Sequence, residues 1–166
     1  MKKKDKSKVT EVTVKGFFRG QLINNETGKI EGDTGWRQNK LSTAGLVNIA
    51  RLLGGVAGSY IVGYACLGTQ TDAVDMAQSV LTGSVNSYRA ITTSTSGAAT
   101  LTLTASFAGT SLATTVNVNA VALHSTNASA GLIALQLFGT NATNGSSSWA
   151  TNQDFNLTYQ LRFGTA

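Results

Sequence analysis

Every second side chain near the end of the chain is apolar, and polar side chains occupy the positions between. The apolar members of this segment are Phe155, Leu157, Tyr159, Leu161 and Phe163. Successive side chains of a strand point to opposite faces, so the pattern predicts one long strand with these five side chains in the core. Residues 9–18 and 100–107 repeat the alternation and predict two further strands.

Apolar and mixed segments of strand length fill much of the remaining chain. Residues 59–68, 87–95, 114–124 and 131–138 are strand candidates, and residues 20–24 are a candidate for a short one. Glycine, serine and asparagine separate them, including the polar stretch 24–35, which is typical of a loop or hairpin tip. This succession predicts an all-β fold, either an antiparallel β-sandwich or a jelly-roll-like barrel, with one short helix.

The helix is predicted near residues 43–53. Ser42 or Thr43 is a suitable N-cap, and the pair Gly54-Gly55 is suited to a left-handed C-cap. Apolar residues recur at helical spacing and form an amphipathic stripe: Leu46, Ile49, Ala50 and Leu53. We expect this helix to close one end of the domain or to cover one sheet.

Charge divides the chain into a short arm and a neutral body. Residues 1–8 are predicted to form a flexible basic arm, and residues 9–166 a single β-sandwich domain. Residues 1–51 carry a net charge of +6, whereas residues 52–166 carry only five charged side chains and a net charge of −1. A body this poor in charge and rich in threonine and asparagine favours burial against other protein in an oligomer. A stable secreted β-protein with a neutral polar coat is the alternative.

Candidate chemistry is sparse. His124 has no second histidine or cysteine with which to share a metal ion, and Asp72 and Asp75 lack the glycine and glutamate of a calcium loop. Cys66 lies in an apolar run, which is typical of a buried thiol. We therefore predict no catalytic residue, no cofactor and no metal. No apolar run reaches the roughly 18–20 residues that span a bilayer, so no membrane partner is predicted.

The arm carries the one strong electrostatic feature, a set of five lysines: Lys2, Lys3, Lys4, Lys6 and Lys8. Docking onto an acidic partner protein is the favoured interpretation. A solubility tail ranks second. Nucleic-acid binding ranks third, because no aromatic residue is interleaved with the lysines and the body shows no basic groove in its sequence.

Three segments together resemble virion structural proteins of tailed or related bacterial viruses. These are the stretch 36–46 (WRQNKLSTAGL) leading into the helix, the stretch 64–69 (YACLGT), and a threonine-rich β body that closes on the alternating strand 156–163. The lysine arm is not part of this pattern. The resemblance implies a non-enzymatic role, so it transfers no catalytic residues.

From this resemblance we expect a minor or decoration component of a phage capsid, located in the virion. It would bind neighbouring capsid proteins, with the major capsid protein as the expected partner, and would form a homo-oligomer, for which a trimer is our expectation. A tail, baseplate or fibre component is the alternative of the same class. A carbohydrate-binding β-sandwich module, with Trp36, Trp149 and tyrosines as a stacking platform, is the alternative of another class.

Overall fold

The structure is a computed structural model and describes residues 11–57, 61–70, 75, 77, 80–81, 83, 89–95, 99–125, 132–137 and 148–165. The first six strands along the chain are β1 (Val12–Asn24), β2 (Ile30–Asp33), β3 (Arg37–Gln38), β4 (Lys40–Leu41), β5 (Tyr64–Gly68) and β6 (Arg89–Ala90). The strands that follow are β7 (Thr92–Thr95), β8 (Thr100–Phe107), β9 (Val116–Asn117), β10 (Ala120–His124), β11 (Leu132–Leu137), β12 (Ser148–Trp149) and β13 (Gln153–Thr165). Helix α1 spans Thr43–Leu53, and a 3-10 turn spans Gly109–Ser111.

Two antiparallel sheets make up most of the described chain. Sheet A has the strand order β2-β1-β13-β8-β7, and β3 also pairs with β1. Sheet B has the order β4-β11-β10-β5-β6, and β9 pairs with β12 in a small separate ladder. Over the described residues the protein is therefore mostly β with one α-helix, and its antiparallel sheets form a sandwich-like fold, as the sequence predicts.

The first and last strands are neighbours in sheet A and pair along their whole length. The register runs without a break from Val12 opposite Thr165 to Asn24 opposite Gln153. The sequence divides this region at its glycines into a strand at 9–18 and a candidate strand at 20–24, and that division is wrong. Gly20 belongs to the continuous strand because it pairs with Leu157, and its lack of a side chain leaves room for the Phe155 ring.

The core lies between the two sheets. Phe155, Leu157, Tyr159 and Leu161 are at most 7% exposed, and Phe163 packs against the core in a partly buried position. The predicted inward face of the last strand is thus confirmed. Sheet B contributes Leu67, Val121, Leu123 and Ile133 to the same cluster.

One predicted strand proves to be two, in different sheets. The stretch 87–95 contains β6, which pairs with β5 in sheet B, and β7, which pairs with β8 in sheet A. The chain crosses at Ile91, whose N–H donates to the Gly63 carbonyl oxygen over 2.9 Å. Its side chain packs against the core between the sheets. Local alternation cannot reveal such a crossing, because both halves are extended.

Candidate interaction surface at helix α1

The start of helix α1 is tied directly to sheet B. The Ser42 hydroxyl oxygen accepts a hydrogen bond from the Gly45 N–H over 2.9 Å, which confirms Ser42 as the N-cap. The same hydroxyl donates to the Ile133 carbonyl oxygen of β11, also over 2.9 Å. At the other end Gly55 has a φ of +62°, the left-handed conformation expected of the C-terminal glycine pair.

The fully buried residues of the helix are small or polar, and Ile49 of the predicted stripe packs against the core in a partly buried position. Gly45 and Asn48 are the buried residues of α1. A Cβ at Gly45 would collide with the Ile133 carbonyl oxygen, so glycine permits the close approach. An amphipathic stripe normally faces the core of its own domain. Here Leu46 is 41% exposed and Leu53 is 80% exposed, so much of the predicted stripe faces outward.

We call the exposed apolar surface of this region the helix patch. Each of its six members is at least 41% exposed: Leu46, Val47, Leu52, Leu53, Val56 and Ile61. Isolated exposed apolar side chains are ordinary, but a concentration on one helix and the segment after it makes this region a candidate interaction surface.

An open apolar groove of about 350 Å³ is lined in part by the helix patch itself, through Leu52, Leu53 and Ile61. Helix α1 contributes Ile49 and Leu52 to its wall, sheet A contributes Leu161 and Phe163, and Ile133 comes from sheet B. The groove therefore lies where the helix meets both sheets, and it has almost no polar lining. The patch thus combines protruding apolar side chains with a neighbouring cavity.

The charged side chains of β1 and β2 form hydrogen bonds within sheet A. Asp33 of β2 accepts hydrogen bonds from Arg19 Nε over 3.0 and 3.1 Å, from Gln21 Nε2 over 3.1 Å and from the Gly35 N–H over 2.8 Å. The Arg19 hydrogen bond is the main reason that the pKa of Asp33 lies below its ordinary value. Hydrogen bonds from Gln153 and Asn24 likewise lower the pKa of Glu31. Both carboxylates are thus held ionised as acceptors, which is the wrong state for a general acid.

The candidate residues for chemistry do not come together. His124 lies in β10 and is fully buried. Asp75 is exposed and accepts from the Ala77 N–H, while Asp154 accepts from the Gly109 N–H on another part of the surface. Within the described ranges, no group of three histidine, cysteine or acidic residues is placed to hold a metal ion. Asp72 and the five arm lysines, Lys2, Lys3, Lys4, Lys6 and Lys8, lie outside the described residues.

The proposed stacking platform of Trp36 and Trp149 does not form. Trp149 is 1% exposed, stacks edge-on against Phe107 and Phe155, and donates its indole N–H to the Gln153 carbonyl oxygen over 2.7 Å. Burial also raises the pKa of Tyr159, whose ring packs against Phe18 in the core. Of Trp36, Trp149 and Tyr159, only Trp36 lies outside the core, with an exposed fraction of 40%.

Comparison with known proteins adds no relative: no family model, no curated protein and no solved structure matches the chain. Among the described residues, no helix is both long enough and apolar enough to cross a membrane.

The sequence holds an overlooked signal for the helix patch. Apolar residues occur on more than one side of α1, at Leu46, Val47, Ile49, Leu52 and Leu53, which is more than one buried face needs. Gly45 could have indicated the side that approaches a neighbouring backbone. Together these two features predict a helix with a second apolar face.

Proposed function

We propose that this protein is a non-enzymatic structural protein that assembles with copies of itself through the helix patch. The observation that carries the proposal is the outward orientation of the apolar stripe on α1. Six side chains of this kind expose an area on the order of the largest apolar patches of monomeric proteins, about 300–600 Å². A surface of that size is stabilised when another protein covers it.

A second copy of the chain fits this surface better than a charged partner does. The patch presents protruding side chains beside an apolar groove, so one copy can fill the groove of the next, which is the head-to-tail contact that builds a closed ring such as a trimer. Arg51 is the one charged residue of α1, and it occupies a different side of the helix from the stripe. The interface would therefore be apolar at its centre, with the cation at its rim.

The resemblance of the sequence to phage structural proteins supports a virion as the site of this assembly. We propose a homotrimer that serves as a minor or decoration component of the capsid, binds the major capsid protein and stabilises the particle. The charge-poor, threonine-rich body of the chain supports a role as a subunit of an assembly rather than as a free monomer. A tail, baseplate or fibre position is the alternative within the same class.

Light scattering after size-exclusion chromatography tests the assembly. We expect the full chain to have a mass that is a multiple of 17.2 kDa, with a threefold value for the trimer. Leu53→Glu, which places a charge in the helix patch, should shift the mass toward a monomer. Ile30→Glu is the matched control, because Ile30 is 51% exposed on the distant β2 strand. A wild-type monomer at high concentration would contradict the proposal.

Mass spectrometry of purified particles tests the virion placement separately. The protein should be found in intact particles and should remain with the capsid fraction after heads and tails are separated. Recovery with the tails would support the alternative, and absence from purified particles would overturn a virion role while leaving self-assembly intact.

A further inference from the structure

A cation is held between two aromatic rings on the outer face of sheet A. The guanidinium carbon of Arg162 lies 4.5 Å from the ring centroid of Phe17 and 5.6 Å from that of Trp36. Gln160 accepts from Arg162 Nε over 3.0 Å and from Nη2 over 2.6 Å. The rings and the amide together hold the guanidinium in one orientation without neutralising its charge.

Lys15 adds a second cation to the same place. It is the direct cross-strand partner of Arg162 in the β1–β13 ladder, and both side chains are exposed. Like charges directly opposite each other destabilise a sheet. Asp33 lies on the same face, opposite Gln21 of β1, and is already bound by Arg19. Among the described residues, neither Lys15 nor Arg162 forms an ion pair, so this pair of cations costs stability unless an anion covers it.

From this arrangement we infer that the outer face of sheet A binds single-stranded nucleic acid. We call the site the Arg162 patch and define it by its members: Lys15, Phe17, Trp36, Gln160 and Arg162. Phosphates would be held by Lys15 and Arg162, and a base would stack on the exposed indole of Trp36. A duplex keeps its bases stacked on one another, so the exposed ring favours a single strand.

The lysine arm extends the same charge along the chain. Residues 1–8 precede β1 by only three residues, and β1 places Lys15 in the patch. An arm of this composition binds phosphate without sequence specificity. The fold places two aromatic rings beside two cations, which the sequence does not show, because Phe17, Trp36 and Arg162 are far apart in the chain and meet only in the fold.

Fluorescence anisotropy with a labelled oligothymidylate of about 20 nucleotides tests the site on the full chain. We expect binding that weakens steeply with salt. Lys15→Gln and Arg162→Gln should each reduce the slope of log affinity against log salt by about 0.7, the value for one lost single-strand phosphate contact. Lys29→Gln is the matched control, because it removes one exposed lysine from the β1–β2 turn, away from the patch.

Substitutions of Trp36 test the stacking of a base on its indole ring. Trp36→Ala should weaken binding about tenfold with the salt slope unchanged, whereas Trp36→Phe should retain most of the affinity. Because Trp149 is buried, binding should quench tryptophan fluorescence in the wild type and much less in Trp36→Phe. Circular dichroism of each variant confirms that the fold is intact.

Competition experiments distinguish single-stranded nucleic acid from the other ligands that could bind the Arg162 patch. Equal displacement of the labelled strand by polyglutamate of matched charge would show an acidic protein surface as the ligand and overturn the inference. Equal affinity for a duplex, or no effect of Trp36→Ala, would reduce the site to charge alone and also overturn it. Binding that disappears on deletion of residues 1–8 but is unchanged in the patch variants would assign it to the arm instead.

Discussion

Strand β13 and helix α1 both alternate apolar and polar residues with the period of their own secondary structure, yet they use the apolar face differently. The strand buries Phe155, Leu157 and Leu161 between the sheets. The helix leaves Leu46 and Leu53 in solvent and buries Gly45 and Asn48 instead. Apolar periodicity therefore identifies an element and its two faces, whereas the contacts of the element decide which face is covered within the chain.

The difference has a backbone origin. β13 pairs on both sides, with β1 and with β8, and the sheet as a whole presents one face to the core. Helix α1 is positioned by the hydrogen bonds of Ser42 to β11 and by the contact of Gly45 with the Ile133 carbonyl. These local contacts hold one side of the helix against the sheet, and it is not the side that carries Leu46 and Leu53.

The largest expected effect is a loss of stability when a buried side chain of strand β13 is truncated. Leu157→Ala removes a side chain that is 2% exposed, so the free energy of unfolding should fall by about 2–5 kcal/mol. Thr158→Ala, on the opposite face of β13, is the control and should change stability by no more than about 0.5 kcal/mol. Denaturant unfolding measures both. Equal effects at the two positions would contradict the inward register.

A smaller effect tests the close contact beneath the helix. In an exposed helix, replacing glycine by alanine stabilises by about 1 kcal/mol. Gly45→Ala should instead destabilise by about 1–3 kcal/mol, because the new methyl group overlaps the Ile133 carbonyl oxygen. Ala50→Gly, on the exposed side of α1, is the reference for propensity alone. Stabilisation by Gly45→Ala in thermal unfolding would show that the helix does not approach β11 this closely.

The ion pair at the edge of sheet A gives a pH-dependent effect. The pKa of Asp33 is lowered in the folded protein, so its contribution is present above the ordinary value of 3.8 and is lost as the pH falls through the folded value. Asp33→Asn should therefore cost up to about 1 kcal/mol at neutral pH, the usual limit for a partly exposed pair.

The sign of the pH dependence is the decisive measurement for that pair. The difference in unfolding free energy between wild type and Asp33→Asn should shrink toward zero in strong acid. Glu26→Gln, at the exposed hairpin turn, is the control that removes a carboxylate without removing this pair. A difference that is independent of pH would assign the loss to hydrogen bonds of Asp33 rather than to its charge.

The smallest expected effect sharpens the helix side of the comparison. Leu53 is 80% exposed, so Leu53→Gln should change the unfolding free energy of the monomer by no more than about 0.5 kcal/mol. The same change should weaken self-association, which sedimentation over a concentration series measures. A loss of several kcal/mol in the monomer would show that Leu53 packs within its own chain.

Prediction from sequence succeeds here wherever one face of one element carries the signal. The alternation at 155–163, the bounds of the helix and its Ser42 cap are of this kind, because each depends on neighbours within a few residues. It fails at Ile91, where one extended segment divides between two sheets, and at Gly20, which local propensity treats as a break. Pairing partners from distant parts of the chain override the local preference at both positions.

The candidate surfaces show the same division. The apolar composition of α1 and the lysines of the arm are properties of the sequence itself. The meeting of Phe17, Trp36 and Arg162 depends on the pairing of the first strand with the last, and the outward turn of Leu53 depends on the packing of Gly45 against β11. Sequence determines which side chains are able to form a surface, because composition and period are local. Only the tertiary structure decides which of them share one, because strand pairing and backbone contact join residues that are far apart in the chain.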